Sequence, residues 1–159
     1  MAAPSITVVD DADVTVSNHD FGIVQANNDS GVITCLIWNN RGGATALSDL
    51  RDVSITSLDT DGGSSSDVVS GHWVNVNVPA MDGNQSTWTQ VGGTTQKYIR
   101  ADGLNSASGN IIQGVVNDGN KATTASKNNY CTVRIKVHVP LNATPGTKNF
   151  KMRINGYYV

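Results

Sequence analysis

Ten consecutive residues close to the C-terminus alternate strictly between apolar and polar side chains. The apolar set consists of Cys131, Val133, Ile135, Val137 and Val139. The polar set consists of Tyr130, Thr132, Arg134, Lys136 and His138. Successive side chains of an extended chain point in opposite directions, so a period of two places the two sets on opposite faces. Residues 130–139 are therefore predicted to form a long β-strand with one dry face and one wet face.

A second alternating stretch follows after a segment that contains Pro140 and the pair Pro145-Gly146. Its apolar residues are Phe150, Met152 and Ile154, and its polar residues are Lys151, Arg153 and Asn155. Pro140 lacks the N–H that a strand ladder needs and ends the first strand, whereas Pro145-Gly146 fits the centre of a type II turn. The two stretches are predicted to be antiparallel strands, each with one face on a core.

The rest of the chain repeats this organisation as short strand-like stretches separated by turn-forming residues. The predicted strands are residues 5–9, 14–16, 22–25, 32–38, 53–58, 73–78, 86–91, 97–100, 111–116, 130–139 and 148–158. Glycine, asparagine and aspartate between them supply or tolerate the positive φ of tight turns. Many short strands at a spacing of about 8–12 residues are typical of a sandwich or barrel. We predict an all-β antiparallel sandwich, with residues 44–51 as its one candidate helical turn.

Length and charge limit the classes to which this chain can belong. With 159 residues it fits one domain, so residues 1–159 are expected to form a single sandwich with residues 1–5 as an extended N-terminal arm. The formal net charge of -2 gives no basic field for a phosphate backbone, so no nucleic-acid partner is expected. No stretch approaches the roughly 20 apolar residues of a membrane span. No signal peptide is recognised, so the protein is expected to act in the cell that makes it or to leave inside a virus particle.

The two cysteines leave two interpretations open. Cys35 shares its predicted strand face with Ile33 and Ile37, and Cys131 lies on the apolar face of residues 130–139. Both thiols are therefore expected to point into the core. They are either two buried free thiols or a disulfide between the two sheets, which would require oxidising surroundings.

Two longer connections, residues 59–70 and 102–110, are rich in small polar residues and are predicted to be surface loops that could not pack a core. The first of them contains three carboxylates, Asp59, Asp61 and Asp67. Their spacing resembles half of a calcium loop, but the bidentate glutamate at the far end is missing. Weak calcium binding by these three residues is one interpretation, and solvated turns are the other. No cofactor is expected.

The most informative aromatic residue is Trp73, which shares a predicted strand face with Asn75 and Asn77. The valines of the other face are expected to enter the core, which would leave Trp73 on the surface. An exposed tryptophan surrounded by asparagines would suit a protein interface, where tryptophan is enriched, or would stack on a sugar ring. The alternative is a tryptophan at the sheet edge that the 59–70 loop covers. Trp73, Asn75 and Asn77 are our candidate interface residues.

No pattern of a reactive site is found in the sequence. The histidines His19, His72 and His138 have no metal-binding spacing, and no Gly-x-Ser-x-Gly nucleophile elbow is present. No glycine-rich phosphate loop leads into a helix. The chain is therefore expected not to be an enzyme.

Two segments resemble bacterial and phage immunoglobulin-like sandwich modules. One is Phe21-Gly22-Ile23-Val24 with the turn Asp29-Ser30-Gly31, the strand 32–38 and the turn 39–43; the other is the closing hairpin from residue 139 to Met152. The resemblance implies that Phe21 closes one end of an immunoglobulin-like sandwich and that the middle of the chain adds extra strands and long loops.

Free-standing sandwiches of this kind are similar to small virion proteins of tailed bacteriophages. This resemblance implies a capsid decoration protein that contacts capsid subunits, forms a homo-oligomer (a trimer is favoured) and is located in the virion. A tail or baseplate accessory protein is the first alternative. A carbohydrate-binding module that uses Trp73 is the second alternative, in which case the partner would be a glycan. No membrane partner is expected.

Overall fold

The computed structural model describes residues 1–83 and 86–159. Its strands are β1 (Ile6–Asp10), β2 (Asn28–Asp29), β3 (Ile33–Asn39), β4 (Arg51–Leu58), β5 (Val74–Asn77), β6 (Thr89–Val91), β7 (Lys97–Tyr98), β8 (Tyr130–Val139) and β9 (Lys151–Tyr157). Its short helices are α1 (Asp67–Ser70) and α2 (Pro79–Asp82). Two single turns of 3-10 helix lie at Ser106–Ser108 and Thr124–Asn128.

The strands form two antiparallel sheets of unequal size. The larger sheet has the order β1-β3-β8-β5-β6, with β2 pairing to the end of β8, and the smaller sheet has the order β7-β4-β9. Strand β8 is central because β3 and β5 pair with its two edges, which places Ile135 opposite both Ile33 and Val76. The prediction of an all-β fold with two antiparallel sheets is confirmed. The immunoglobulin-like assignment stays a prediction.

The main core lies between the two sheets and follows the alternation of β8. Val133 and Ile135 of the larger sheet are buried in the same cluster as Val53 and Ile55 of the smaller sheet. The dry face predicted for residues 130–139 is thus the inner face of the larger sheet. Each such side chain contributes about 1.5–3 kcal/mol when it is fully buried.

A smaller apolar cluster lies on the outer face of the larger sheet. It consists of Val9, Leu36, Trp38 and Tyr130. The Trp38 and Tyr130 ring centroids are 4.5 Å apart, and the Tyr130 hydroxyl donates to the carbonyl of Lys121 at 2.9 Å. The loop that contains Lys121 is thereby held across this end of the sheet.

Buried asparagines tie the loops at the same end of the sandwich to β3. The fully buried Asn39 side chain donates to the carbonyls of Ser48 at 3.0 Å and Ile112 at 3.2 Å, and accepts from the Ser5 N–H at 3.1 Å. The Ala2 carbonyl also accepts from the Ser48 N–H, at 2.9 Å. The N-terminal arm is therefore hydrogen-bonded to its own chain at Ala2 and Ser5.

Several predicted elements differ from the structure. Residues 14–16 form only one isolated bridge, from Thr15 to Val9, and residues 111–116 form only one, from Ile112 to Leu50. Residues 22–25 are not a strand, and residues 44–51 contain no helical turn. The three strand-like stretches lack enough partner backbone alongside to complete a ladder, whereas the N–H groups of Leu47 and Ser48 bond to the carbonyls of Gly114 and Ala2 instead of closing a helical turn.

Candidate interaction surface

The candidate interface residues Trp73, Asn75 and Asn77 are all buried, and the prediction that they are exposed is wrong. Strand β5 begins only at Val74, so the alternation does not extend to Trp73, which is 6% exposed and packs in the main core. The alternative, in which the 59–70 loop covers Trp73, is the correct one. The backbone N–H of Trp73 donates to the Val68 carbonyl of α1 at 3.0 Å.

The two asparagines of β5 are buried by local structure on the outer face. Asn77 is fully buried, and its amide donates to the carbonyls of Gly83 at 3.2 Å and Thr87 at 2.8 Å. Asn75 is 7% exposed and donates to the Trp73 carbonyl at 3.0 Å. Their amides satisfy backbone carbonyls of their own chain, so these residues present no anchor to a partner.

The three calcium candidates are engaged within the chain. The Asp59 carboxylate accepts from the N–H groups of Ser65 and Ser66 and from the Ser66 hydroxyl, and these bonds, the hydroxyl first, lower its pKa. Asp61 accepts from the Gly63 N–H at 2.8 Å. Within residues 1–83 and 86–159, no group of three or more histidine, cysteine or acidic side chains could hold a metal ion.

The third candidate, Asp67, forms an ion pair. Its Oδ2 lies 2.6 Å from Lys148 Nζ and accepts from the Thr144 hydroxyl at 2.8 Å, and the bond from Lys148 is the largest cause of its lowered pKa. The same loop places Val68 and Val69 in the core at 1% and 0% exposure. The prediction that residues 59–70 could not pack a core is therefore wrong, because Asp59 folds the loop back over Trp73.

A cleft of about 1510 Å³, lined mainly by apolar side chains, lies between the two sheets. Its floor on the larger sheet includes Cys35, Ile37 and Val133, and β9 contributes Met152 and Ile154. The irregular segments 16–24 and 143–150 form its mouth.

Phe21 lies at the mouth of this cleft, as the resemblance implies. Its ring stacks with that of Phe150 at a centroid distance of 6.2 Å, and His19 contacts its edge at 4.8 Å. The next large apolar residue of the same segment, Ile23, also lines the cleft and is 100% exposed. Apolar side chains inside and around one opening are typical of a protein interaction site.

A polar cluster occupies the outer face of β8. Asp29 lies 2.5 Å from Lys136 Nζ and 2.7 Å from His138 Nδ1, and the bond from Lys136 is the first cause of the lowered pKa of Asp29. Lys136 Nζ also lies 4.6 Å from the ring centroid of Trp88. The wet face predicted for residues 130–139 therefore carries an ion-pair network and an aromatic contact.

Acidic and basic residues are segregated along the chain, which the predictions from whole-chain composition do not include. The first 40 residues contain five aspartates and no lysine or arginine, and after Asp118 the chain has seven basic residues and no acidic one. Several of these charges pair within the fold, as Asp29 does with Lys136. Counting charge by position rather than over the whole chain could have found this signal.

Both cysteines are free and buried, which confirms the first interpretation. Cys35 lies opposite Val133 and Cys131 opposite Ile37, so both belong to one sheet and cannot join two. Burial raises the pKa of the Cys35 thiol, and it raises that of Cys131 well above the ordinary value. Both thiols are therefore poor nucleophiles at neutral pH.

No family model, no curated protein and no solved structure matches this chain. Over residues 1–83 and 86–159, no helix has the length and apolar character needed to cross a bilayer.

The carboxylates predict how stability depends on pH. The folded state lowers the pKa of Asp29, Asp59, Asp67 and Asp118 and raises that of the buried Asp102. A lowered pKa stabilises the fold above the unfolded-state pKa, and this contribution is lost as pH falls through the folded-state pKa. The raised pKa of Asp102 acts in the opposite direction. Asp29 and Asp67 would also lose ion pairs on protonation, so we expect the melting temperature to fall as pH drops below about 4, the ordinary pKa of aspartate.

Thermal unfolding followed by circular dichroism at each pH measures this dependence. The variant Asp29→Asn removes the carboxylate that pairs with Lys136 and His138, so its melting temperature should change less with pH than that of the wild type. A melting temperature that is constant or rises as pH falls over this range would contradict the prediction.

Proposed function

We propose that this chain is a non-enzymatic structural protein of a virus particle, a decoration protein that binds neighbouring capsid subunits through protein contacts. The observation that carries the proposal is the open apolar cleft with Phe21, Phe150 and the exposed Ile23 at its mouth. Strand β9 lies at its side as an edge of the smaller sheet. An apolar opening beside an edge strand suits recognition of an extended protein segment, because the edge backbone supplies hydrogen bonds and the opening accepts side chains.

The sequence resemblance to small virion sandwiches supports the choice of a virus particle as the partner. A repeating shell also suits a protein with one modest contact surface, because an oligomer that engages several identical sites gains avidity without a strong single site. A tail or baseplate accessory would use the same surface, and it remains the alternative location within the particle. The carbohydrate-binding alternative relied on an exposed Trp73, whereas this residue is only 6% exposed and Lys148 Nζ lies 5.9 Å from its ring centroid, so we do not favour it.

The test compares virus particles that carry the intact gene with particles from which it is deleted. Mass spectrometry of the purified particles and a cryo-electron microscopy difference map are the measurements. We expect mass spectrometry to detect the protein in the intact particles, and the difference map to show its added density on the head shell. Density on the tail would favour the accessory alternative over decoration, and absence from the purified particles would overturn the proposal.

One pair of variants connects the cleft to particle binding. We expect Ile23→Asp to lower the affinity for deleted particles at least about tenfold, because a charge replaces an exposed apolar contact at the mouth of the cleft. Val116→Asp is the matched control, since Val116 is 55% exposed and does not line the cleft. Co-sedimentation over a concentration series measures both. Equal affinities for the two variants would exclude the cleft mouth as the contact.

A further inference from the structure

The cleft lies beside a free edge of the smaller sheet. Within residues 1–83 and 86–159, β9 pairs with β4 along one edge and with no strand along the other. Met152 and Ile154 of β9 are only partly buried and line the cleft. A strand added to β9 would pair with its free backbone and could cover these two side chains.

Residues 17–24 have the pattern of such a strand but form none in the isolated chain. Their period of two places His19, Phe21 and Ile23 on one side and Asp20, Gly22 and Val24 on the other. In the described part of the chain, the hydrogen bond made by this backbone is the one from the Gly22 N–H to Asp20 Oδ1 at 2.8 Å. Phe21 points into the cleft whereas Ile23 is 100% exposed, so the two side chains do not lie together on one apolar face in the isolated chain.

The charges of the two elements are complementary. Residues 17–24 carry Asp20 and no lysine or arginine. Strand β9 carries Lys151 and Arg153 on its exposed face and no acidic residue. If Phe21 and Ile23 faced the cleft of a neighbouring copy, Asp20 would lie on the same side of the extended sheet as Arg153.

We propose that residues 17–24 of one copy add to the free edge of β9 of a second copy and place Phe21 and Ile23 in its cleft. The contact joins two different surfaces, so repetition closes a ring when the rotation allows it. This inference deepens the proposed function by specifying how the oligomer forms. Main-chain pairing supplies affinity, and the alternate apolar residues supply specificity, as in other cases of strand addition.

Disulfide trapping between two singly substituted proteins tests the contact. One protein carries Asp20→Cys and the other Arg153→Cys, because the proposed pairing puts these two side chains on the same exposed side of the extended sheet, and both are mixed under mild oxidation. Native Cys35 and Cys131 are buried with raised pKa values, so they react slowly. We expect a covalent dimer in the mixture, and a much weaker one when Val116→Cys replaces Asp20→Cys.

The doubly substituted chain Asp20→Cys, Arg153→Cys shows whether the segment pairs with β9 of a neighbour or with β9 of its own chain. If the segment pairs with β9 of a neighbour, oxidation gives a ladder of covalent oligomers. An oxidised monomer, together with no dimer in the mixture of single variants, would mean that the segment closes on its own β9 and would overturn the proposal.

Charge reversal provides an independent measurement by size-exclusion chromatography with light scattering. We expect Asp20→Lys or Arg153→Asp alone to raise the dissociation constant of the oligomer at least about tenfold, and the double variant to restore association. Lys127→Asp, at an exposed lysine distant in sequence from both elements, is the control and should associate like the wild type. A wild type that stays monomeric at all concentrations would overturn the contact. These measurements use the isolated protein, so their failure is separate from a failure to bind particles.

Discussion

Replacing Ile135 by aspartate is expected to abolish folding. Ile135 is 5% exposed at the centre of β8, where it faces Ile33 on one neighbouring strand and Val76 on the other. A carboxylate at this position would lose its water without gaining a cation, which costs several kcal/mol even after relaxation. The total stability of a domain of this size is about 5–15 kcal/mol. Far-ultraviolet circular dichroism and urea titration should therefore show an unfolded chain in buffer without denaturant.

Two matched variants separate this effect from a general sensitivity of β8. Ile135→Val removes one methylene from the same place and should cost about 0.5–1.5 kcal/mol. Lys136→Gln, one residue further on, removes a half-exposed ion pair with Asp29 and should cost about 0–1 kcal/mol. Similar, mild losses for Ile135→Asp and Lys136→Gln would contradict the assignment of the two faces of β8.

The sequence predicts β8 well because local pattern and tertiary position agree there. Strand β8 has pairing strands on both sides and a core against one face, so a period of two persists over all of Tyr130–Val139. The stretches around Thr15 and Ile112 have similar patterns, but each finds only a single bridge. Their pairing depends on which distant backbone lies alongside, and a local pattern does not contain that information.

The candidate site was harder to predict because burial near strand ends depends on neighbouring loops. Trp73 lies one residue before β5, so the alternation that orients Val74 does not orient Trp73. The polar composition of the loop over it predicts a solvated loop, yet Asp59 organises its serines and brings Val68 into the core. The lining of the cleft comes from both sheets and from two irregular segments, which no single segment of the sequence specifies.

A second large effect is expected from Asn39→Asp, which changes the chemistry of a buried group without changing its shape. The amide of Asn39 donates to the carbonyls of Ser48 and Ile112, and its side-chain oxygen accepts from Ser5. A carboxylate would direct lone pairs at two carbonyl oxygens and leave the Ser48 carbonyl without a donor, whereas the Ile112 carbonyl keeps the Leu50 N–H at 3.0 Å. The unsatisfied carbonyl costs about 1–3 kcal/mol and the buried, unpaired carboxylate costs several kcal/mol, so we expect a loss of at least about 3 kcal/mol at neutral pH.

The pH dependence of this loss distinguishes lost hydrogen bonds from a simple packing defect. Burial and the facing carbonyls would favour the protonated carboxyl, which can donate one of the two bonds again. Relative to the wild type at the same pH, the deficit in urea unfolding free energy should therefore be smaller at about pH 4 than at about pH 7. Asn142→Asp, at an exposed turn residue, is the control and should stay within about 0.5 kcal/mol of the wild type. An equal loss of unfolding free energy at the two pH values would show that repulsion by the carboxylate is not the cause. The role of Asn39 as a donor that joins the loops to β3 would then be wrong.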